Sequence, residues 1–190
     1  MFLLHRPTAD QVTRFIDESR ALPLSYAPAG LLHAEATGFK VDEHVAVVGS
    51  GASSFPKAVA ALTEWRHFAL GWVELIPEAA SIVPGTVVAV VIRHLGFWSL
   101  NGCRVLYSTG SREGGRFGFA YGTLTNHAEC GEELFEVSYD PDANAVSYRI
   151  RAVSRPRAML ARLGYPYTRT LQARFRHDSV RAVQRAVDGR

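Results

Sequence analysis

The spacing of hydrophobic positions changes several times along the chain. Val12, Phe15 and Ile16 fall on one side of a helix that opens at Thr8, where Thr8-Ala-Asp-Gln11 makes a capping box. Pro23 lies beyond its end, and Ser25 to Leu32, with Pro28 and Gly30, has no period and reads as loop. Phe39, Val41, Val45 and Val47 then alternate with Lys40, Asp42, His44 and Ala46. This is the period of a strand with one buried side, here the apolar side that Glu43 interrupts. Gly49-Ser50-Gly51 ends the strand. A second helix follows, capped by Ser54, with Pro56 in its first turn, Phe55, Val59, Leu62 and Trp65 on one side, and Gly71 as its stop.

From Trp72 to Val153 short strands alternate with turn residues. Trp72 to Ile76 is brief, Pro84-Gly85 turns, and the β-branched run Thr86 to Leu95 reads as a central strand. Cys103 to Thr109 follows, then a hairpin tip at Gly110 to Gly115. Phe117, Phe119, Tyr121 and Thr123 share a face. Glu133, Phe135, Val137 and Tyr139 alternate with Glu132, Leu134, Glu136 and Ser138. Asp140 to Asn144 turns, and Val146, Tyr148, Ile150 and Ala152 alternate with Ser147, Arg149 and Arg151. Such a succession is an antiparallel meander. After Ser154 the period becomes helical again: Pro156 suits the first turn of a short helix ending near Gly164. Pro166 starts a longer one to about Val187, with Leu171, Phe175, Ser179, Ala182 and Ala186 as its inner stripe. A long curved sheet must bury its apolar face, one long helix can cover it, and the space between the two is a natural ligand cavity.

Composition narrows the class. The chain has 190 residues, 47% hydrophobic and 21% charged, which fits a single globular domain and not a disordered chain. Its longest aliphatic run, Val87 to Ile92, is far below the roughly 20 residues needed to span a bilayer. No secretory leader is recognisable, and Cys103 and Cys130 cannot make a disulfide framework, so a reduced, cytoplasmic protein is expected. Nine arginines from Arg155 onward face only Asp178 and Asp188, a local charge of +7 against −4 for the remainder. That imbalance can serve an anionic partner. No aromatic stacking pattern accompanies it, so a solvated helix face is expected and nucleic acid is not.

Two motif fragments are incomplete. Val45-Ala-Val-Val-Gly-Ser-Gly51 begins like a dinucleotide fingerprint, with Glu74 at a plausible distance, but Ser54 replaces the third glycine, Phe55-Pro56 fills the helix start, and a meander follows. His127-Ala-Glu129-Cys130 has the H-x-E spacing of zinc deaminases without their P-C-x-x-C run. No cofactor and no metal are expected.

Several runs carry a family resemblance: Gly49-Ser-Gly51 with Phe55, Ala58, Leu62, Trp65, Phe68 and Gly71-Trp72; Gly85-Thr-Val-Val88 and Leu95-Gly96; Arg116-Phe-Gly-Phe-Ala-Tyr-Gly-Thr-Leu124, His127, Gly131-Glu-Glu133 and Phe135; and Ser154-Arg-Pro156, Leu163-Gly-Tyr-Pro166, Arg169, Gln172, Phe175 and Asp178-Ser179. From about Gly38 to Val187 the chain resembles uncharacterised protein family 0548, a family catalogued as a domain of unknown function. Departures are confined to Thr125-Asn126, Cys130 and Leu134. That family is similar to the START-related, birch-pollen-allergen-like (SRPBCC) superfamily. The resemblance implies an α+β helix-grip fold: a curved antiparallel sheet of about seven strands around a long C-terminal helix, with residues 1–37 as an N-terminal helix-and-loop extension and 38–187 as the core of a single domain. Fold does not supply a reaction.

The candidate chemistry is read with both of its alternatives. Trp98, Tyr121, Thr123 and Tyr148 lie on strands expected to face the long helix, as does Phe175 from the helix itself; they are either core or ligand contacts. Asn101 raises the same question. Arg155 either anchors an acidic side chain or binds an acidic ligand head. His127 and Glu132, within the cluster His127, Glu129, Glu132 and Glu133, are either an acid–base pair or part of a solvated turn. Three functions follow: a binding module for a small, partly apolar or amphipathic molecule; a cyclase- or hydratase-like enzyme using His127 and Glu132; and an anion or nucleic-acid binder using the arginine-rich helix. The oligomeric state is not legible.

Overall fold

The capping box at Thr8 is formed. The Thr8 hydroxyl accepts the Gln11 N–H while the Gln11 side chain accepts the Thr8 N–H, and this starts helix α1, Ala9–Ser19. The computed structural model describes residues 1–34, 36–157 and 164–190. Its strands are β1 (Phe2–Leu3), β2 (Lys40–Ser50), β3 (Val73–Ile76), β4 (Val87–Arg93), β5 (Trp98–Ser111), β6 (Arg116–Thr123), β7 (Glu129–Asp140) and β8 (Ala145–Pro156). They form one curled antiparallel sheet in the order β2-β8-β7-β6-β5-β4-β3, with β1 beside β5. Helix α2 (Ser54–Thr63) and a single 3-10 turn (Arg66–Phe68) link β2 to β3, and helix α3 (Tyr165–Asp188) crosses the concave side.

Of the predicted α3 stripe Ser179 and Ala182 are buried and Leu171, Phe175 and Ala186 pack against the core; Val180, Val183 and Val187, outside that stripe, are buried with them. The second helix is shorter than its pattern implies. It ends at Thr63, and Trp65 takes a left-handed conformation (φ 55°) that turns its ring into the core, where Nε1 donates to the Ala80 carbonyl at 2.8 Å. Ser54 does not cap α2; it is the first helical residue, and its hydroxyl donates back to Ser50. Pro156 pairs with Glu129 as the last residue of β8 and opens no helix. The rest of that expected short helix, residues 158–163, lies outside the described residues.

Strand β2 is inverted relative to its pattern. Val41, Val45 and Val47 are 50%, 55% and 58% exposed, while Ala46 and Val48 face the core. The concave side at this edge is held close under α3 and α2. A Cβ placed on Gly49 would lie 2.9 Å from Val187 Cγ1 and 2.8 Å from Ser54 Cβ. At Gly49 no side chain fits inside, while Val41, Val45 and Val47 lie outside, where β-branched side chains suit an extended backbone.

Both faces of the central sheet are covered. The main core lies between the concave face, α2 and α3. On the convex face α1 packs Val12, Phe15 and Ile16 on Val87, Ala89, Val91 and Leu100. The segment from Leu24 to Phe39 covers the rest through Tyr26, Leu31 and Leu32 on Ala120, Cys130, Leu134 and Val153. Gly122 makes room for this cover, since a Cβ there would sit 2.2 Å from the Tyr26 hydroxyl.

His67 stands in the main core, fully buried among the rings of Trp65, Phe68, Phe119, Phe135 and Tyr148, with no hydrogen-bond partner on either nitrogen. Burial drives its pKa down to about 3. Between pH 3 and about 6.5 the unfolded chain therefore binds a proton at this site that the folded chain refuses. Stability is lost as pH falls through that window. His67→Phe is expected to remove this dependence: its stability relative to the parent should rise by about 1 kcal/mol between pH 6.5 and 5.5 in urea titrations. A pH-independent difference would mean that His67 finds a proton acceptor in the folded state.

Candidate functional site

Between the sheet and α3 lies a partly open cavity of about 200 Å³. For scale, a cavity of about 150 Å³ holds benzene. One part of its wall is aromatic. Phe68, from the 3-10 turn, contacts Phe175 of α3 at 5.1 Å and Tyr121 of β6 at 6.1 Å between ring centroids, over Phe135 of β7 at 5.6 Å. The period of two places Tyr121 and Phe135 on the concave face. The break at Trp65 brings Phe68 down onto them, and the helical period of α3 supplies Leu171 and Phe175 from above. Trp72 completes the aromatic wall, with Arg174 over its other side at 4.4 Å from the ring centroid and Asp178 accepting its Nε1–H at 3.0 Å.

Carboxyl groups gather at another part of the wall. Tyr121 donates its hydroxyl to Glu133 Oε2 at 2.7 Å. Glu133 is half-buried and lines the cavity. Burial, reinforced by Glu129 and Asp42, pushes its pKa up to about 7, against the Tyr121 hydrogen bond and Arg176, which lower it. Glu129 receives Gln172 Nε2 at 2.8 and 2.9 Å on its two oxygens, and burial also raises it. Gln172 in turn accepts from Arg169 at 2.6 Å, and Arg169 holds Asp42 with two prongs, Nη2 to Oδ1 at 2.7 Å. Arg176 stands 4.0 Å from the same carboxylate. The Arg169 hydrogen bonds hold Asp42 below its ordinary range. This chain of contacts ties β2, β7 and the first half of α3 together around the cavity.

His127 precedes β7 and lines the cavity. Its Nδ1 accepts the Glu129 N–H at 2.8 Å, so the single proton of the neutral ring sits on Nε2. Burial lowers its pKa to about 3, which keeps the imidazole a neutral donor at ordinary pH. Asn101 accepts the Ala128 N–H at 3.2 Å and donates to Ser99 at 3.0 Å, which itself meets His94 Nε2 at 2.8 Å.

Of the residues singled out in the sequence, Asn101, Tyr121, Thr123, His127 and Phe175 line this cavity, and so does Glu132, although its carboxylate is held by amides of the convex cover. The others are placed elsewhere. Tyr148 is a core residue whose hydroxyl meets Ser179 at 2.9 Å, because the sheet closes on α3 at that level. Trp98 points to the convex face and packs with the α1 cluster. Arg155 is exposed, stacked over Phe39 at 4.5 Å from the ring centroid, where it helps fasten the N-terminal segment. Glu132 turns its carboxylate to the convex side and accepts the N–H groups of Gly30 at 2.7 Å and Leu32 at 3.1 Å. The carboxyl that faces the cavity is its neighbour Glu133, whose parity with Phe135 and Val137 is the signal that finds it. Asp42, Arg169 and Gln172 join across 127 and 43 residues, and no local pattern announces them.

The basic C-terminal region is spent largely on internal contacts. Arg157 donates to the Thr125 carbonyl, Arg174 pairs with Asp178, Arg190 pairs with Asp188, and Arg169 and Arg176 address Asp42. Among the described residues no group of three or more His, Cys, Asp or Glu side chains is arranged to hold a metal ion, and no helix is long and apolar enough to cross a membrane.

Solved structures share the architecture at low identity. A Thermus thermophilus protein, TTHA0849, superposes with a TM-score of 0.55 at 10% identity over 79% of this chain and 98% of its own. The Zhui aromatase/cyclase of a Streptomyces species superposes with a TM-score of 0.52 at 16% identity over 79% and 94%. These likenesses establish the helix-grip arrangement of sheet and helix. Sequence relatives are nearer. A UPF0548 protein of Dictyostelium discoideum is 34% identical over 98% of this chain and 96% of its own, and one of Deinococcus radiodurans is 34% identical over 98% and 99%. Residues 25–182 match the family described as "Domain of unknown function (DUF1990)". With the same match spanning the cavity walls, the network on α3 and most of the convex cover, the chain belongs to the DUF1990, or UPF0548, family.

Proposed function

We propose that this protein binds a small, largely apolar molecule in the cavity between the sheet and α3. The observation that carries the reading is the cavity itself: about 200 Å³ walled by Phe68, Trp72, Tyr121, Leu171 and Phe175, with a polar group of side chains at one part. Well-packed interiors leave few voids larger than a water molecule, so an apolar space of this size is a place for a guest. The aromatase/cyclase likeness supports a fold able to enclose such a space and says nothing of the guest.

Native mass spectrometry of freshly purified protein is expected to show a retained small molecule that denaturation releases. An apolar probe at ten times its Kd is expected to add about 1.4 kcal/mol to stability. Leu171→Trp, which fills the cavity, is expected to lose both effects. Bare protein mass together with no stabilisation by any apolar probe would defeat the reading.

A second reading is proton-transfer catalysis of the cyclase or hydratase kind. It is favoured by a carboxyl poised near neutrality, Glu133, and a neutral imidazole donor, His127, in one cavity. In this reading Glu133 takes the acid–base role that the sequence suggested for Glu132. Conversion of the retained molecule on incubation, lost in Glu133→Gln while binding persists, is the outcome of the same experiment that would carry it.

A further inference from the structure

The carboxyl groups around the cavity are not equally provided for. Asp42 has the two-pronged Arg169 and the nearby Arg176, and Glu129 has the amide of Gln172 on both oxygens. Among the described residues Glu133 has one hydrogen-bond partner, the neutral Tyr121 hydroxyl, on one oxygen. Both guanidinium groups face Asp42 and the Gln172 amide serves both oxygens of Glu129, so an ionised Glu133 is the carboxylate least provided for. In a site removed from water a carboxylate without a cation takes up a proton instead. Glu133 shares the cavity wall with the rings of Phe68, Trp72, Tyr121 and Phe175. A carboxyl in an aromatic-walled cavity suits an organic cation, because ring quadrupoles and a carboxylate attract the same charge.

We propose that the cavity takes an amine: a molecule with a protonated nitrogen on an aromatic or aliphatic body, seated with the nitrogen against Glu133 and the body among Phe68, Trp72 and Phe175. The inference rests on the cavity being a binding site. Arg176 also lines the cavity, but it faces Asp42, so an acidic head would have to compete for it. The groups facing Glu133 are Tyr121 from β6, Glu129 from β7, Asp42 from β2, Tyr148 from β8, Cys103 from β5 and Arg176 from α3. Of these, Asp42 is bonded by Arg169 and Glu129 by Gln172, and among the described residues no guanidinium is hydrogen-bonded to Glu133. Binding of the amine therefore displaces a proton from Glu133, and affinity rises with pH until that proton is already gone.

The test is calorimetric titration of the intact protein with three probes of one shape: 2-phenylethylamine, 2-phenylethanol and 3-phenylpropanoate. The amine is expected to bind at least about tenfold more tightly than the alcohol at pH 7. Titrations at pH 6 in two buffers of different ionisation enthalpy are expected to show close to one proton released per amine bound, and none for the alcohol. Glu133→Gln is expected to bring amine and alcohol within about twofold of each other while alcohol binding stays unchanged. The proton count needs no variant, so it decides the matter even if Glu133→Gln folds poorly. Equal affinity for amine and alcohol, or preference for the carboxylate, overturns the amine and leaves the cavity reading standing. Failure of all three probes to bind overturns both.

Discussion

Phe135→Ala is expected to lower stability by about 3–5 kcal/mol and the melting temperature by roughly 6–20 °C, with the fold retained at low temperature. Phe135 is fully buried on β7, and its ring meets those of His67, Phe68, Phe119, Tyr121 and Phe175. It supports the cavity wall from behind. Truncation loses the burial of a large side chain and leaves a void that the crossing of α3 over the sheet prevents from collapsing. The same void adjoins the cavity, so an apolar probe is expected to recover part of the loss, more for Phe135→Ala than for the parent protein. Chemical denaturation with and without the probe measures both. A loss below about 1 kcal/mol would mean that α3 and the 3-10 turn settle into the gap, and that this wall is softer than its ring packing indicates.

Glu132→Ala is expected to cost about 2–4 kcal/mol without weakening the binding of a cavity probe. Its carboxylate is the acceptor for two N–H groups of the convex cover, Gly30 and Leu32, and truncation orphans both in a buried layer. It also stands beside Tyr26, whose phenol is pushed up by burial and by this carboxylate. Glu132→Gln keeps the shape and one acceptor oxygen, so a smaller loss of about 1–2 kcal/mol is expected. Denaturation and probe titration on the same samples separate this role from a catalytic one. Unchanged stability with lost binding would place the Glu132 carboxylate in the cavity.

The pair Glu132–Glu133 shows what the sequence makes legible and what it does not. Period two assigns the two residues to opposite faces, and Phe135 and Val137 mark the face of Glu133 as the concave one. The importance of Glu132 cannot be read the same way, because its partners are backbone amides about a hundred residues earlier in a loop without period. Strand β6 is buried on both sides from Phe117 to Thr123, so alternation there carries no information about which side is wet. Trp98 has the same ambiguity: α1 makes the convex face as apolar as the concave one, and an aromatic residue suits either. For β2 the pattern was clear and the assignment reversed: the inner face takes Ala46, Val48 and Gly49, the last with no room for a side chain, and an edge strand tolerates exposed valines on its other face. Helix α3 was legible almost to the residue. Its stripe faces a single core, and Pro166 near the start and Gly189 at the end bracket it.

The convex cover has a mechanical consequence for the cavity. A sheet packed on one side can flex toward solvent, but here β5, β6 and β7 are wedged between two layers, and neither surface is at liberty to yield. Whatever accommodation a bulkier guest demands must come from the opposite wall, where α3 is moored at one end by the Asp42–Arg169–Gln172–Glu129 contacts and at the other by Val183 and Val187. Size selection in this protein is thus a property of how far one helix can lift.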